Sequence, residues 1–332
     1  ALLGLLTRRI RALSMVCAVG GAGLAVVAAV LEWINAPSSP ETVETIGRLP
    51  IPGLDISLRL INDNVAGITA TVVTVVTLMI QIFTVWYLAD DDRYEVFASS
   101  VSLFASGMLL VVQSADLILS LVGWEVMGWC SYLLIGHFSR KASARRAAYK
   151  AFMVTRFADV GFVLGVAWFI ASTRSSELPA ISEMLGETHS WPLTLAIIGL
   201  LAGIAGKSGL IPFHDWLPDA MEGPTPASAL IHAATMVAAG TYLLYRLFPL
   251  YAGDSTVRLV VGILTAATMV WAGFLAFGQL DVKRLFAYST LSQVAIMASA
   301  NAVAEPEHAA GAALGHLWSH AFFKALLFLG AG

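Results

Sequence analysis

The chain has 332 residues, of which 58% are hydrophobic and 12% charged, and its mean hydropathy is +0.78. Such a composition excludes an ordinary soluble domain and is typical of a polytopic membrane protein. The formal net charge of −3 indicates neither a nucleic acid nor an acidic partner. Cys17 and Cys130 lie inside apolar runs, so they predict buried thiols rather than a disulfide framework or a metal motif.

Apolar runs that are long enough to cross a bilayer, which takes about 20 residues, recur along the chain. We therefore predict an all-α membrane protein with about ten transmembrane helices. The chain lacks an initiator Met and stops inside an apolar run at Gly332, so we expect a fragment cut at both ends. The predicted spans are residues 12–34, 66–88, 95–113, 116–138, 147–171, 192–211 (broken), 224–250, 257–278, 284–300 and 308–331.

Residues 35–65 form the one sizeable loop between predicted spans. Its prolines and its short alternating pieces, such as residues 54–60, predict a small β-hairpin. Because successive spans cross the membrane in opposite directions, each loop can be assigned to one side. Lys and Arg concentrate in the loops on the side opposite to residues 35–65. The positive-inside rule therefore predicts that the hairpin faces outward and that Arg93, Arg140 and Lys283 face the cytoplasm.

The most informative stretch is residues 201–240, where an apolar helix carries Lys207 and is then broken, and we assign Gly206 and Pro212 to the break. A lysine inside a membrane helix is costly and indicates function. Broken backbone at membrane depth persists only where protein or water covers it. We therefore predict an ion path on which Lys207 is a protonatable station.

Two acidic positions could serve this lysine. Glu125 lies near the middle of its span, either as a neutral acid bonded to a neighbouring helix or, as we predict, as a movable partner of Lys207. Arg156 and Asp159 share one helix face at a spacing of three residues. One interpretation is a structural ion pair in which the two charges neutralise each other. The other is a role in proton conduction, with Asp159 as a partner of Lys207 or of a neighbouring subunit.

Several histidines are also candidates. His232 follows the break and is either a core residue or a proton carrier. His316, His320 and Lys324 recur every four residues, which stacks three protonatable groups along about 12 Å of one helix face. No carboxylate or cysteine accompanies them, so we expect a proton path there and no zinc site. His214 and Asp215, in the broken segment, are predicted either to conduct protons or merely to cap or anchor that segment.

Five long motifs resemble the antiporter-like membrane subunits of respiratory complex I, most of all the distal L-type subunit, called chain 5 in mitochondria. The same family includes the A subunit of multisubunit sodium/proton antiporters and membrane subunits of energy-converting hydrogenases. The resemblance over residues 1–90 is one of layout only. The motifs are GWEVMGWCSYLLIGHF, KAFMVTRFADVGF, GKSGLIPFHDWLPDAMEGPTPASALIHAATMVAAGTYLL, DVKRLFAYSTLSQ and HLWSHAFFKALLFLGAG.

The resemblance implies inverted five-helix repeats, each with a broken helix and a central lysine. It places residues 1–94 in an N-terminal unit that holds the hairpin, residues 95–250 in the first repeat and residues 251–332 in an incomplete second repeat. Glu125 and Lys207 are then the charged pair of the first repeat, and Lys324 is the lysine that links the two half-channels.

On this resemblance we expect a multi-pass subunit of the cell inner membrane that moves protons by way of His232 to Lys324 and carries no redox centre. No cofactor is expected in this chain, because NADH and quinone are used elsewhere in the complex. Other membrane subunits, the lipid bilayer and protons, or sodium, are the expected partners, and nucleic acid is not. The alternatives are a gradient-driven sodium/proton antiporter or hydrogenase subunit, and a scaffold whose charges are vestigial.

Overall fold

The computed structural model describes residues 11–36, 41–50, 56–185, 190–303 and 306–332. Helices dominate these residues, and a two-stranded sheet follows the first of them. The strands are β1 (Glu41–Leu49) and β2 (Ile56–Asn62). The helices are α1 (Arg11–Ile34), α2 (Asn64–Tyr87), α3 (Tyr94–Gln113), α4 (Leu117–Ile135), α5 (Ala142–Thr173), α6 (Leu178–Leu185), α7 (Trp191–Ser208), α8 (Trp216–Asp219), α9 (Thr225–Ala233), α10 (Met236–Tyr251), α11 (Ser255–Phe277), α12 (Val282–Val303) and α13 (Pro306–Gly330).

Nine stretches of the described residues are long and apolar enough to span a membrane, with α9 and α10 together forming one of them. The prediction of a polytopic all-α membrane protein is thus confirmed. The predicted span at residues 284–300 is helical as part of α12 but is not among the nine, since polar residues of this helix such as Gln293 and Asn301 lower its hydropathy. Every residue from Thr225 of α9 to Leu244 of α10 is buried, so this stretch forms the centre of the bundle.

The β-hairpin predicted between the first two helices is confirmed for the described residues. Its strands pair antiparallel, with Glu41 opposite Asn62 and Leu49 opposite Ile56. It rests on the loops that precede α4 and α6, since Arg59 Nε lies 3.0 Å from Glu177 Oε1 and Leu60 bridges to Ser114. We call this side of the bundle the hairpin end. Pro37, Pro40 and Pro52 lie outside the described residues.

Charged loops meet at the opposite end of the bundle, which we call the loop end. Asp91 Oδ2 lies 3.2 Å from His137 Nε2, and Arg93 donates to the His137 carbonyl oxygen at 2.9 Å. Arg11 donates to the Asp91 carbonyl oxygen, so the start of α1 also lies at the loop end. The loops at the hairpin end and those at the loop end thus lie at opposite ends of the bundle, as successive spans of opposite direction require. That the loop end faces the cytoplasm stays a prediction.

The predicted helix break lies where α7 ends. Gly209 adopts a left-handed conformation with φ of 66° and closes α7, and Pro212 lies in the irregular residues before α8. Gly206, which we assigned to the break, lies instead inside α7. The reason is packing, because Gly206 lies directly against Ala158 of α5 and Trp216 Nε1 donates to its carbonyl oxygen at 3.0 Å.

A second interruption was not predicted. Residues 224–250 read as one continuous apolar helix, yet the helix is broken between α9 and α10 at Ala234 and Thr235. The Thr235 hydroxyl donates to the Leu230 carbonyl oxygen at 2.5 Å and thereby satisfies an acceptor at the end of α9. His232 consequently lies on a short helical piece of its own.

Glycines allow α5 and α7 to approach very closely. A Cβ atom at Gly199 would lie 2.6 Å from the Gly161 carbonyl oxygen, and one at Gly165 would lie 2.6 Å from the Ala196 carbonyl oxygen. Small residues of this kind let membrane helices pack backbone against backbone. The same contact brings the end of α7, with Lys207, against the middle of α5.

We predict that Gly199→Ala destabilises the protein by about 1–3 kcal/mol, because the added methyl group meets a backbone oxygen that only a helix shift can move. The measurement is the unfolding free energy of the purified protein in mild detergent. Gly273→Ala is the matched control, since no atom lies within 4 Å of a Cβ atom there. Equal stabilities of the two variants would contradict the close α5–α7 contact.

Candidate functional site

Lys207 is completely buried and forms an ion pair with a buried carboxylate. Its Nζ lies 3.4 Å from Asp159 Oδ2, and the exposed fractions of the two side chains are 0% and 1%. The Lys207 Nζ also lies 5.2 Å from the centre of the Trp124 ring, and Trp124 Nε1 donates to Asp159 Oδ1 at 2.7 Å. The carboxylate therefore has one oxygen on the ammonium and the other on the indole.

Three helices build this pocket, and each contributes a specific feature. The α5–α7 contact sets the separation of Asp159 and Lys207, and α4 supplies Trp124. Gly128 lies one turn after Trp124 on α4, and a Cβ atom there would be 2.9 Å from Lys207 Nζ. The glycine at this position therefore makes the room that the ammonium occupies.

Glu125 does not pair with Lys207, so the predicted pairing is wrong in this structure. Glu125 forms an ion pair with Arg156 of α5, and about a third of each side chain is exposed. The reason is the turn of the helix, since consecutive residues are rotated by about 100°. Trp124 faces the Lys207 pocket, so Glu125 points to the side of α4 where Trp129 is half exposed.

Four charges are thus arranged as two ion pairs around Gly128. A Cβ atom at Gly128 would also lie 3.2 Å from Arg156 Nη2, so the guanidinium and the Lys207 ammonium flank the same glycine. We call Glu125, Arg156, Asp159 and Lys207 the four-charge cluster. Arg156 and Asp159 share a face of α5 as predicted, but each is paired with a different neighbouring helix.

Lys324 is a second buried lysine, with only 1% of its surface exposed. Its Nζ donates to Ser289 Oγ at 2.8 Å and to the Phe286 carbonyl oxygen at 3.3 Å. No ion pair of Lys324 occurs within the described residues. The two lysines therefore differ, because Lys207 has a carboxylate partner and Lys324 has neutral oxygen partners.

Buried histidines lie beside Lys324. His232 is fully buried against the Phe328 ring, at 4.9 Å between ring centres, and neither of its ring nitrogens has a hydrogen-bond partner among the described residues. His320 is also fully buried and faces the backbone of Ala233, without a hydrogen bond of regular geometry. Two buried imidazole rings thus lie between α9 and α13, and buried polar groups of this kind are ordinarily satisfied by water.

His316 continues the predicted ladder on α13 but in a different environment. Its ring centre lies 6.3 Å from that of His320, whereas its Nε2 lies 2.8 Å from Gln293 Oε1 of α12, and the side chain is half buried. The ladder of His316, His320 and Lys324 is therefore present along one helix. Its two inner members are buried and its first member lies at the edge of the bundle.

The broken segment between α7 and α9 is tied to two helices. Lys150 Nζ lies 3.0 Å from Asp215 Oδ2 and 2.8 Å from Asp219 Oδ2, and Trp271 Nε1 donates to His214 Nε2 at 3.2 Å. His214 and Asp215 thus anchor the segment, which is one of the two roles predicted for them.

Trp124 was missed by the sequence analysis, although its spacing from Gly128 was visible in the GWEVMGW motif.

Two family models match the chain. The model described as NADH:quinone oxidoreductase/Mrp antiporter, TM, matches residues 114–332, and that of the NADH-Ubiquinone oxidoreductase (complex I) chain 5 N-terminus matches residues 49–98. The chain belongs to the NADH:quinone oxidoreductase/Mrp antiporter family. The second match also corrects our expectation that the resemblance over residues 1–90 is one of layout only.

Relatives and solved structures agree with this membership. NADH-quinone oxidoreductase subunit L of Neisseria meningitidis serogroup A is 41% identical over 94% of this chain and 48% of its own length, and that of Escherichia coli K12 is 40% identical over 96% and 52%. The chain thus spans about half the length of these relatives.

Two solved structures share the fold. A chain of the Mrp complex from Dietzia sp. superposes with a TM-score of 0.86 at 28% identity, over 98% of this chain and 35% of that one. A chain of an archaeal membrane-bound sulfane sulfur reductase superposes with a TM-score of 0.89 over 98% of this chain and 66% of that one. Its 21% identity supports the fold alone.

We predict that Asp159→Asn destabilises the protein by about 3–5 kcal/mol, because it leaves the Lys207 ammonium buried without its counter-charge. Adding Lys207→Met to that variant should recover most of the loss, since the uncompensated charge is then gone. Unfolding free energies of the single and double variants measure this coupling. Asp92→Asn is the control for an exposed ion pair and should change little, because Asp92 and its partner Arg140 are mostly exposed. Additive effects of Asp159→Asn and Lys207→Met would contradict the pairing.

Proposed function

We propose that this chain is part of a proton-translocating membrane subunit of an NADH:quinone oxidoreductase. The observation that carries the proposal is the completely buried Lys207–Asp159 pair in a chain of this family, because a charge in a membrane interior is expensive and marks an ion or proton path. The similarity to the named L subunits of two bacteria supports the same assignment.

Lys207 is the proton carrier in this proposal, and Asp159 sets how firmly it holds the proton. The Asp159 carboxylate stabilises the ammonium, so any movement that draws Asp159 away favours proton release. Trp124 stabilises Asp159 through its indole N–H in either state. Asp159 thus takes the role that the sequence analysis gave to Glu125.

Glu125 acts through Arg156 in this proposal. When Glu125 turns toward a neighbouring subunit, Arg156 loses its partner while its guanidinium remains beside Gly128 and the Lys207 ammonium. The freed guanidinium competes for Asp159 and repels the ammonium, and both effects expel the proton from Lys207. An event outside the chain can thereby drive proton release within it.

The released proton passes in this proposal to the space between α9 and α13, where water bonds to the rings of His232 and His320. These rings have no regular hydrogen-bond partner among the described residues, so they relay protons to water or to Lys324. Lys324 receives the proton among neutral oxygen atoms, from which it is released without breaking an ion pair. His316 lies at the edge of this route.

The chemistry that drives transport takes place elsewhere in the proposed complex. NADH and quinone react in other subunits, this chain binds no cofactor, and its partners are neighbouring membrane subunits within the cell inner membrane. The redox reaction couples to this chain through the partner of Glu125.

A sodium/proton antiporter subunit is the second candidate, and the similarity to a chain of the Dietzia Mrp complex favours it. Both candidates use the same buried lysines. Proton flux that depends on sodium, in vesicles supplied with no NADH, would favour the antiporter over the redox-driven pump.

We expect Lys207→Met to reduce proton pumping at least about tenfold in inverted membrane vesicles that contain the assembled complex, because methionine fills the site but binds no proton. The measurement is the rate of proton uptake for each NADH oxidised. Lys141→Met is the matched control, since Lys141 is exposed at the loop end and lies outside the four-charge cluster. Normal pumping by Lys207→Met would refute the proposal, and normal pumping after loss of Lys207, Glu125 and Lys324 together would establish a scaffold.

A further inference from the structure

A cavity of about 640 Å³ opens at the loop end of the bundle and leads to the start of α9. Lys283 of α12 and Tyr87 of α2 line it, and both contact the hydroxyl of Thr225, the first residue of α9. Lys283 Nζ donates to Thr225 Oγ1 at 2.5 Å, and Thr225 Oγ1 donates to the Tyr87 hydroxyl at 3.2 Å. Thr225 itself is completely buried, so its hydroxyl forms the inner end of the cavity. Charged side chains of both signs line this space, namely Lys141, Glu222, Asp281, Lys283 and Arg284.

Polar groups continue from Thr225 along one face of α9. Ser228 and His232 follow Thr225 by three and seven residues, a spacing that places the three side chains on the same side of a helix. Ser228 and His232 are completely buried, and neither the Ser228 hydroxyl nor the His232 ring nitrogens have a hydrogen-bond partner among the described residues. At 1.5 Å per residue the three groups span about 10 Å along the helix axis. The line therefore runs from the inner end of the cavity into the centre of the bundle.

This face of α9 packs against α13. A Cβ atom at Gly332, just after α13, would overlap the Thr225 side chain, and the Phe328 ring centre lies 4.9 Å from that of His232. Both ends of the line thus meet α13, which carries Lys324 one helical turn before Phe328. The line from the cavity therefore ends beside the second buried lysine.

We propose that water enters along this face of α9 and that Thr225 and Ser228 line a proton inlet, which joins the cavity at the loop end to His232 and Lys324. Buried polar groups without protein partners are ordinarily satisfied by water. Ser228 and His232 are about 6 Å apart along the helix axis, farther than a hydrogen bond reaches, so water bound to the Ser228 hydroxyl bridges them.

The inlet rests on the proposed role of Lys324 as a proton carrier, and it supplies Lys324 from the loop end without passage through Lys207. The inlet and the route from Lys207 meet at His232. Pumping still requires Lys207 in the proposed function, because the event that drives transport acts on its ammonium through Arg156.

The first test measures whether a small cation reaches Ser228 from the loop end. Sealed membrane vesicles contain the assembled complex with its complete chain, in which Cys17 and Cys130 are replaced by Ala. Silver ions are added on the loop-end side, and protection of the introduced thiol from later alkylation is read by mass spectrometry. Ser228→Cys should react at least about tenfold faster than Ala229→Cys, because silver binds the thiolate, which forms in contact with water. Ala229 is the matched control, since it is equally buried on α9 but points about 100° away from Ser228.

The second test removes the two hydroxyls. Thr225→Val combined with Ser228→Ala should lower proton uptake for each NADH oxidised at least about threefold, because the groups that bond the water are lost. Thr241→Val is the matched control, since this hydroxyl is also buried without a partner among the described residues but lies on α10, outside the inlet. Unchanged NADH oxidation in the presence of a proton ionophore separates a blocked inlet from failed assembly.

Either of two results would overturn the inlet. One is equal reactivity of Ser228→Cys and Ala229→Cys, because water then does not follow this face of α9. The other is unchanged pumping after the combined loss of both hydroxyls, and this result decides alone if Ser228→Cys does not assemble. Pumping by Lys207→Met decides the proposed function separately, since access of silver to the thiol requires no pumping.

Discussion

The structure depends on a lysine ammonium that is held in the centre of an apolar bundle by a single carboxylate. A charge so far from water is best stabilised when a counter-charge lies close and the remaining polar atoms are bonded. Asp159 meets both requirements, since one oxygen faces Lys207 and the other accepts from Trp124. The close packing of α5 and α7 exists around this pair, because glycines on both helices bring the two side chains together.

Coupling to a partner follows from the way the charges are divided. Lys207 and Asp159 are inaccessible, whereas Glu125 and Arg156 are one-third exposed on the adjoining face of α4 and α5. The exposed pair can respond to a neighbouring subunit, and the buried pair can hold or release a proton. Gly128 lies between them, so the shift of one guanidinium changes the electrostatic field at the ammonium. In the proposed function the two pairs thus combine an input from a partner and a proton carrier within a short distance.

Composition and periodicity were sufficient to predict the membrane class, the hairpin, the break after Lys207 and the burial of Lys207 and Lys324. They were insufficient for the partner of Lys207. Glu125 and Trp124 are neighbours in sequence, and only the rotation of α4 decides which of them faces the pocket. The interruption at Thr235 was equally hidden, since apolar residues continue through it. Asp63 and Arg246 form an ion pair although 183 positions separate them in the sequence, so no local pattern contains this contact. The division into repeats stays a prediction.

The most direct test of the central claim is a dipolar coupling measurement by solid-state NMR in lipid bilayers, with isotope-labelled lysine Nζ and labelled carboxyl carbons. The Lys207 signal is assigned by its loss in a Lys207→Met sample. The account predicts that the Lys207 Nζ couples to an aspartate carboxyl carbon and that Asp159→Asn removes this coupling. A coupling of Lys207 to a glutamate carboxyl carbon, lost in Glu125→Gln, would contradict the account.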